Sequence, residues 1–360
     1  MSDNEKTPGV KLPSARDISR TDFTPHGINR GKGSLKRPAN KAELRKKRLR
    51  QTGVTVLVLA VIAGVAGGAY ALTRPERDFK ISGAFNKDPK VTFPEVEPYT
   101  VSRTEQLIKG TGEQLKTGDT AYINFETYQW TGAKKHEEKS STYAKDGDGP
   151  AALPVGSDQG GSGFKELDEA IKDARIGDRY LVTMPVKELG DTAAETGLKA
   201  SDNVVFVIDV VTKQYPVTGE MAKQDDAKLP EVTKPKKDGE APGIEVPDAD
   251  PPKELTVKTL IEGSGPAVQK GQKLAAHYKG VIWGGKEFDS SYANGEPASF
   301  QIGTGAVIPG WDKALVGVKA GSRVLLSIPP ADGYGEKGNE SAGIKGTDTL
   351  VFVVDILASY

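Results

Sequence analysis

The chain has 360 residues, 49 Lys plus Arg against 49 Asp plus Glu, 42 Gly, 23 Pro, 3 His and no Cys. Its length argues for two folded domains, and the lack of Cys excludes disulfides, thiolate metal sites and a thiol nucleophile. His26, His136 and His277 are too few and too scattered for a multi-histidine metal centre or a Ser-His-Asp triad, so no metal site is expected.

The zero net charge conceals an asymmetry. Residues 1–53 carry nine more basic than acidic side chains, and the remainder is acidic to match. The first 40 residues are rich in Ser, Thr, Pro, Gly, Lys and Arg, a composition that cannot offset the entropy of ordering, so 1–53 reads as a disordered cytoplasmic tail. Phe23 is almost its only aromatic, and the basic cluster has an electrostatic role at anionic lipid, so nucleic acid is not the expected partner. Lys41, Arg45, Lys46, Lys47, Arg48 and Arg50 directly precede an uncharged apolar run, Val54 to Leu72. At about 19 residues it is long enough to cross a hydrocarbon core of roughly 30 Å as a helix. The cluster before it keeps the N-terminus cytoplasmic, so a cell-membrane protein with one span at 54–72 is expected, its later domains extracytoplasmic. Ala69-Tyr70-Ala71 also fits a signal-cleavage site, and a secreted product is the competing reading. A secretory n-region is much shorter than this one, however. A buried core helix fits less well, because the run has no polar face and Gly64, Gly67 and Gly68 would weaken it in water.

Residues 73–213 read as a juxtamembrane segment and a first domain, which begins before Tyr99 because Val91-Thr92-Phe93 suits an extra strand. Residues 214–252 mix Pro216, Pro230, Pro235, Pro242, Pro247, Pro251 and Pro252 with Lys, Asp and Glu. That composition reads as an extended, solvated linker. Residues 253–360 form the second domain.

The two flanks of the proline-rich segment repeat each other. Gly110-Thr111-Gly112 answers Gly263-Ser264-Gly265, Gly118 answers Gly271, and Phe125 answers Tyr278, all at an offset of 153. Ser140-Ser141 then matches Ser290-Ser291, Gly177-Asp178-Arg179 matches Gly321-Ser322-Arg323, and Val205-Phe206-Val207 matches Val351-Phe352-Val353, at offsets of 150, 144 and 146. In the second copy Leu274, Ala276, Tyr278 and Ile282 share one strand face, opposite His277 and Lys279. Val324, Leu326 and Ile328 form another apolar face, and Leu350, Phe352, Val354 and Ile356 a third. Trp311 and Leu315, four apart after Pro309-Gly310, mark one short helix. The fold class is therefore α+β, an antiparallel sheet wrapped around a short helix.

Gly333, Gly335 and Gly338 (GYGEKG) literally match a dinucleotide fingerprint. That motif needs a tight strand-to-helix turn, whereas Pro329 and Pro330 precede the glycines and no helical run follows, so a loop is expected. His277 shares its face with Lys279 and reads as solvent-exposed. His136 lies in the charged run Lys134 to Lys139 and reads as a solvated loop residue.

Tyr278, Phe288, Trp311, Tyr334 and Phe352 each stand beside a glycine or a turn, with Asp289 adjoining Phe288. Core packing explains aromatics in general, but the surrounding text is more specific. Ala276-His277-Tyr278-Lys279-Gly280, Lys286-Glu287-Phe288-Asp289-Ser290-Ser291, Val307-Ile308-Pro309-Gly310-Trp311, Tyr334-Gly335 and Leu350-Val351-Phe352 follow in order. Over roughly Lys253 to Tyr360, about 30% of the chain, they strongly resemble the FKBP-type peptidyl-prolyl cis-trans isomerases.

The resemblance implies an apolar hollow between curved sheet and helix, lined by Tyr278, Phe288, Phe300, Phe352 and, as its floor, Trp311. It makes Val307 and Ile308 the rim, with the Ile308 N–H donating to substrate, and Tyr334 the donor to the carbonyl of the isomerising bond. Asp289 stands at the pocket edge and Ile344 closes one side. Proline-containing unfolded or partly folded chains, newly exported, are the implied partners, and the chemistry needs no cofactor. The rival reading is a non-catalytic holdase using both domains. Ala298 replaces a bulky pocket aromatic, Asn294 a basic partner of the aspartate, and the Glu336–Thr347 loop is glycine-rich. A wider, looser pocket with weakened binding of immunosuppressant macrolides is expected. In the first copy Phe125, Phe164, Phe206 and Leu189 answer Tyr278, Trp311, Phe352 and Tyr334, while Glu138-Lys139 answers Phe288-Asp289. The first domain is thus expected to be FKBP-like but degenerate.

Overall fold

A computed structural model describes residues 79–143, 149–156, 161–189, 198–237 and 239–360. The basic tail and the apolar run 54–72 lie outside the described residues. Among the described residues no helix is long and apolar enough to cross a membrane.

The described residues form two units, one ending at Gln214 and one running from Tyr215 to Tyr360. The first contains β1 (Lys80–Ser82), β2 (Lys90–Thr92), β3 (Arg103–Ile108), β4 (Thr120–Gly132), β5 (Lys135–Ser141) and β6 (Ala151–Pro154). Helix α1 (Lys165–Lys172), β7 (Arg179–Pro185) and β8 (Asn203–Lys213) complete it. The second contains β9 (Glu231–Thr233), β10 (Gly243–Glu245), β11 (Thr256–Ile261), β12 (Lys273–Ile282), β13 (Glu287–Ser290) and β14 (Ala298–Gln301). Helix α2 (Pro309–Leu315), β15 (Arg323–Ile328) and β16 (Leu350–Ser359) follow.

Both main sheets are antiparallel. Their strand orders are β3-β7-β8-β4-β5, with β6 also on β4, and β11-β15-β16-β12-β13, with β14 also on β12. Element by element these are the same topology, as the repeated glycines and aromatics led us to expect. The central strand β16 is buried along its whole length. Leu350, Phe352, Val354 and Ile356 pack inward with Trp311 and Leu315 of α2. Val351 and Val353, on the opposite face of the strand, join a second cluster with Val232, Leu260, Val281 and Leu325.

That second cluster corrects the expected linker. The proline-rich segment is not extended in solvent but lies over the outer face of the sheet as a strap. Its hairpin pairs Val232 with Ile244, and Met221, Ile244, Val246 and Trp283 pack around the buried Val232. The Gln224 side chain binds both backbone groups of Val232, at 2.8 and 2.9 Å. Trp283 donates its indole N–H to the Ala249 carbonyl at 2.8 Å. Tyr215 joins the main core, where a Cβ on Gly265 would come within 2.7 Å of its ring. Prolines are compatible with this arrangement because a two-stranded ribbon leaves half its backbone groups outside any ladder.

The first unit carries a corresponding strap. Its hairpin pairs Ile81 with Val91, which includes the strand expected at Val91-Thr92-Phe93. Phe79, Phe93 and Tyr99 pack over Tyr128, Trp130, Leu181, Val205 and Val207. Arg179 pins the strap's turn by donating to the carbonyls of Gly83, Ala84 and Lys87 at 3.0 to 3.3 Å. The repeat therefore includes the straps, and the proline-rich segment is the beginning of the second copy.

Truncation to residues 253–360 should accordingly leave an incomplete domain. Complete burial of an aliphatic side chain is worth about 1.5 to 3 kcal/mol. We expect Val232→Ala to lower the unfolding free energy of the second unit by about 1 to 3 kcal/mol, and removal of residues 215–252 to cost more, both measurable by urea titration.

The first strap also covers a buried carboxyl. Glu126 is 3% exposed and accepts a hydrogen bond from the Tyr128 hydroxyl at 2.5 Å. Burial pushes its carboxyl up to about 8, helped by the hydrogen-bonded carboxyl of Asp88 in the strap and opposed by Tyr128, with the charge of Glu138 adding to the rise. Because the folded state holds this proton more tightly than the unfolded chain does, its stabilisation is complete below the ordinary carboxyl range. It is lost as pH rises through about 8. Calorimetry from pH 5 to 9 should show one transition falling in temperature as pH rises, and Glu126→Gln should remove that slope.

Candidate active site

The second unit draws its expected pocket residues into one place. Tyr278, Phe288, Phe300, Val307, Ile308, Trp311, Ile344 and Phe352 belong to a single buried cluster, with Tyr334 packed against it. Asp289 stands at its edge, where it accepts a hydrogen bond from the Tyr278 hydroxyl.

Backbone chemistry explains how such large rings converge. Gly280 lies on the same face of β12 as Tyr278 and pairs with Phe352 on one side and Asp289 on the other. A Cβ there would come to 2.7 Å from the Phe288 ring and 2.8 Å from Phe352, closer than real contacts allow, so only glycine lets the two rings meet. Their centroids are 5.4 Å apart, edge to face. Helix α2 has Pro at its first position, where a missing N–H costs nothing. Gly310 then brings it against β15, since a Cβ would fall 2.6 Å from Ile328. That approach sets Trp311, fully buried, within the ring cluster. Its ring meets Tyr278, Phe300 and Phe352 edge-on at 5.4, 5.0 and 5.3 Å, the geometry that aromatic quadrupoles favour.

The rim is held by Asp312, whose carboxylate accepts from the N–H groups of Gly303 and Gly305, both at 2.6 Å. The chain then passes through Val307 to Ile308, whose carbonyl accepts from the Trp311 N–H at 3.0 Å. Opposite them, Tyr334 precedes a 3₁₀ turn, Gly335–Lys337. Burial pushes its phenol up to about 12; an interaction with the Asn339 side chain opposes the rise and the charge of Asp289 adds to it. The hydroxyl is therefore protonated, and able to donate, across the neutral range.

Some expectations are corrected here. His277 is not solvent-exposed: it stacks on Tyr292 at 4.6 Å, with Nδ1 3.1 Å from Ser291 Oγ. That same hydroxyl accepts from the Tyr278 N–H at 2.8 Å. His136 lies in strand β5 and stacks on Phe93 at 4.0 Å, because the strap supplies an aromatic partner. The glycine-rich loop is ordered by two 3₁₀ turns, Gly335–Lys337 and Glu340–Ala342, and by a bridge between Asn339 and Ile344. It contains no helix of the dinucleotide-binding kind. Ala298 is buried and pairs with Ala276. The sequence did not single out Gly280 or Asp312 as site residues, although glycine next to an aromatic pair was a usable signal for the first.

In the first unit Phe125, Phe164, Phe206 and Leu189 are all buried in one cluster, with Phe164 edge-on to Phe206 at 4.6 Å. The register shifts one match. Ser141 pairs with Glu126 as Ser290 pairs with Lys279, and Thr142 accepts from the Phe125 N–H as Ser291 does from Tyr278. Phe288-Asp289 therefore corresponds to Lys139-Ser140, not Glu138-Lys139. Thr127 stands where Gly280 does, which removes the space that the Phe288 ring needs.

The second unit thus packs one short helix against an antiparallel sheet around a buried aromatic cluster, with Tyr334 packed against that cluster and Asp289 bonded to Tyr278. Residues 265–357 match the sequence model of FKBP-type peptidyl-prolyl cis-trans isomerases. The chain is 42% identical over 120 residues to an FK506-binding protein of Streptomyces anulatus, covering 33% of this chain and 97% of that one. It is 40% identical over 106 residues to FK506-binding protein 1A of Neurospora crassa, covering 29% and 86%. To the FKBP-type peptidyl-prolyl cis-trans isomerase FkpA of Escherichia coli strain K12 it is 41% identical over 103 residues, covering 29% and 37%. The chain belongs to the FKBP-type peptidyl-prolyl cis-trans isomerase family and is an enzyme of that type.

Gly280→Ala tests the packing argument. The added methyl must displace Phe288 or Phe352, so we expect a loss of about 1 to 3 kcal/mol in stability and at least a ten-fold loss of isomerase turnover in a peptide assay.

Proposed function

We propose that the second unit carries the isomerase activity and that its aromatic hollow is where an X-Pro amide is twisted. The observation that supports this reading is the convergence of Tyr278, Phe288, Phe300, Trp311 and Phe352 in one buried cluster, with Tyr334 packed against it and Asp289 bonded to Tyr278.

Rotation about an X-Pro bond crosses a barrier of about 18 to 20 kcal/mol, set by resonance that places negative charge on the amide oxygen. A planar amide entering an apolar site loses the water that solvates this charge, whereas the twisted form carries less of it and loses less. Proline packs over Trp311, the Ile308 N–H binds a substrate carbonyl, and the protonated Tyr334 hydroxyl donates to the carbonyl of the rotating bond. Donors fixed where the twisted carbonyl points stabilise the transition state more than the ground state. Asp289, held by Tyr278, sets the polarity of the mouth. No step calls for a nucleophile, metal or cofactor.

The sequence adds a setting. With its basic cluster before the apolar run 54–72, the chain would be anchored in the cell membrane and present both units on the outer side. Its substrates there are newly exported, partly unfolded polypeptides, whose folding waits on slow proline isomerisation. The first unit serves as a degenerate FKBP-like copy that keeps the core without the catalytic groups, because Ser140 and Leu189 stand in place of Asp289 and Tyr334. That loss favours a peptide-holding role for it, the part of the holdase reading that the residues support. Macrolide immunosuppressants bind this pocket weakly, because Ala298 replaces an aromatic wall.

The test is isomerisation of proline peptides by the full-length protein and its variants. Tyr334→Phe combined with Asp289→Ala should leave a tenth or less of the parent's kcat/KM, with the first unit unable to make up the difference. Unchanged turnover would overturn the site assignment, and loss of turnover with retained suppression of aggregation would separate holding from catalysis.

A further inference from the structure

We infer that Asp312 and Lys313, adjacent residues of α2, are positioning residues that fix the two substrate donors relative to each other. Asp312 acts through the rim that carries Ile308, and Lys313 through the connection that carries Tyr334. The inference rests on the donor roles proposed above. Neither donor lies on a strand. Ile308 ends the connection from β14 to α2, and Tyr334 follows a 3₁₀ turn, Pro330–Asp332, after β15. Donors on loops serve a transition state only if something fixes their direction.

Asp312 closes the rim into a ring. Its carboxylate accepts from the N–H groups of Gly303 and Gly305, one on each oxygen and both at 2.6 Å, and its own backbone N–H donates to the Ile308 carbonyl at 3.3 Å. The beginning and the end of the rim are thus bonded to one residue. Hydrogen bonds to an ionised carboxylate are stronger than neutral ones. Gly303 and Gly305 present their N–H groups to it with φ of 79° and 78°, the left-handed region that glycine enters without strain.

Lys313 reaches the other donor's connection. Its ammonium donates to the Asp332 carboxylate at 2.6 Å, on the last residue of the 3₁₀ turn and two residues before Tyr334. That turn is closed on itself, because the N–H groups of Asp332 and Gly333 both donate to the Pro329 carbonyl at 3.0 Å. The ion pair therefore ties a compact turn to α2. The Lys313 side chain is 61% exposed and that of Asp332 18%, so the pair adds little stability and its use is geometric. With Trp311 in the ring cluster, three consecutive residues of α2 hold the cluster, the rim and the Tyr334 connection.

The experiment measures kcat and KM separately on the full-length protein, by NMR exchange over a range of concentrations of an uncharged proline peptide. The Ile308 N–H binds a carbonyl that does not rotate, so its bond is alike in the ground and transition states. Asp312→Asn, which offers the two N–H groups one acceptor oxygen in place of two, should raise KM about five-fold with kcat near the parent's. Asp312→Glu keeps both oxygens and should recover most of that affinity. Lys313→Met keeps the stem without the charge and should lower kcat about three-fold with KM near the parent's. In a Tyr334→Phe background it should have no further effect, and Lys313→Asp combined with Asp332→Lys should restore kcat. Added salt should bring the parent's kcat toward that of Lys313→Met and leave the variant unmoved. Parent-like constants in either Asp312→Asn or Lys313→Met, or a Lys313→Met loss undiminished in the Tyr334→Phe background, would overturn the inference and leave the site reading intact. A fall in kcat and affinity together with a lowered melting temperature would overturn it too, assigning both residues to stability. Parent-like turnover by Tyr334→Phe alone would remove the donor role itself, and this inference with it.

Discussion

Strand β16 must be covered on both faces. Leu350, Phe352, Val354 and Ile356 pack into the core with α2, while Val351 and Val353 look outward, and an apolar outward face in water would be a site of association. The inner face is closed by α2 and the aromatic cluster, the outer by the strap. Each cover supports the other, because Tyr278 and Phe352 hold their places in the pocket only while the strands that carry them are flat against something on the reverse side. The first unit solves the same problem with the same device, and fills the outer face with larger rings.

The two copies also share a buried ion pair. Arg179 donates to Asp209 through Nε and Nη2 at 2.6 and 2.7 Å, and Arg323 donates to Asp355 in the same way at 2.7 Å through both. In each case the partners are directly paired residues of neighbouring strands. A tyrosine hydroxyl joins each carboxylate at 2.7 Å, Tyr143 in the first and Tyr292 in the second. Pairs of this kind add little net stability, because desolvation consumes most of the attraction. Their geometry does oppose any slip between the last two strands, and a slip of one residue would turn Phe352 away from the pocket. The copies diverge above this shared base. In the first, the strap's turn reaches Arg179; in the second, His277 stacks on the tyrosine.

The aromatic cluster was legible in the sequence because its residues come as short runs in a fixed order, each joining a large ring to a glycine or proline that the close packing demands. The antiparallel sheets and short helices followed from period-two apolar faces and from Trp311 and Leu315. The strap was not legible as such. Met221, Val232, Ile244 and Val246 are too widely spaced to register as a strand pattern, and the prolines around them dominated the composition. The one-residue error in β5 has a similar origin. Two adjacent serines match two others equally well until the hydrogen bonds of Thr142 and Ser291 fix the alignment.

The order of the strands along the chain has a consequence for how each unit is made. The strap comes first and the strand it covers comes last, yet that last strand lies in the middle of the sheet. Neither face of the second unit can close until residues 350–359 join β12 and β15, so nearly every stabilising contact spans a long stretch of sequence. During synthesis the proline-rich strap would wait, uncovered, for a partner more than a hundred residues away. A catalyst of protein folding built in this way is, until its own last strand arrives, an unfolded polypeptide rich in X-Pro bonds.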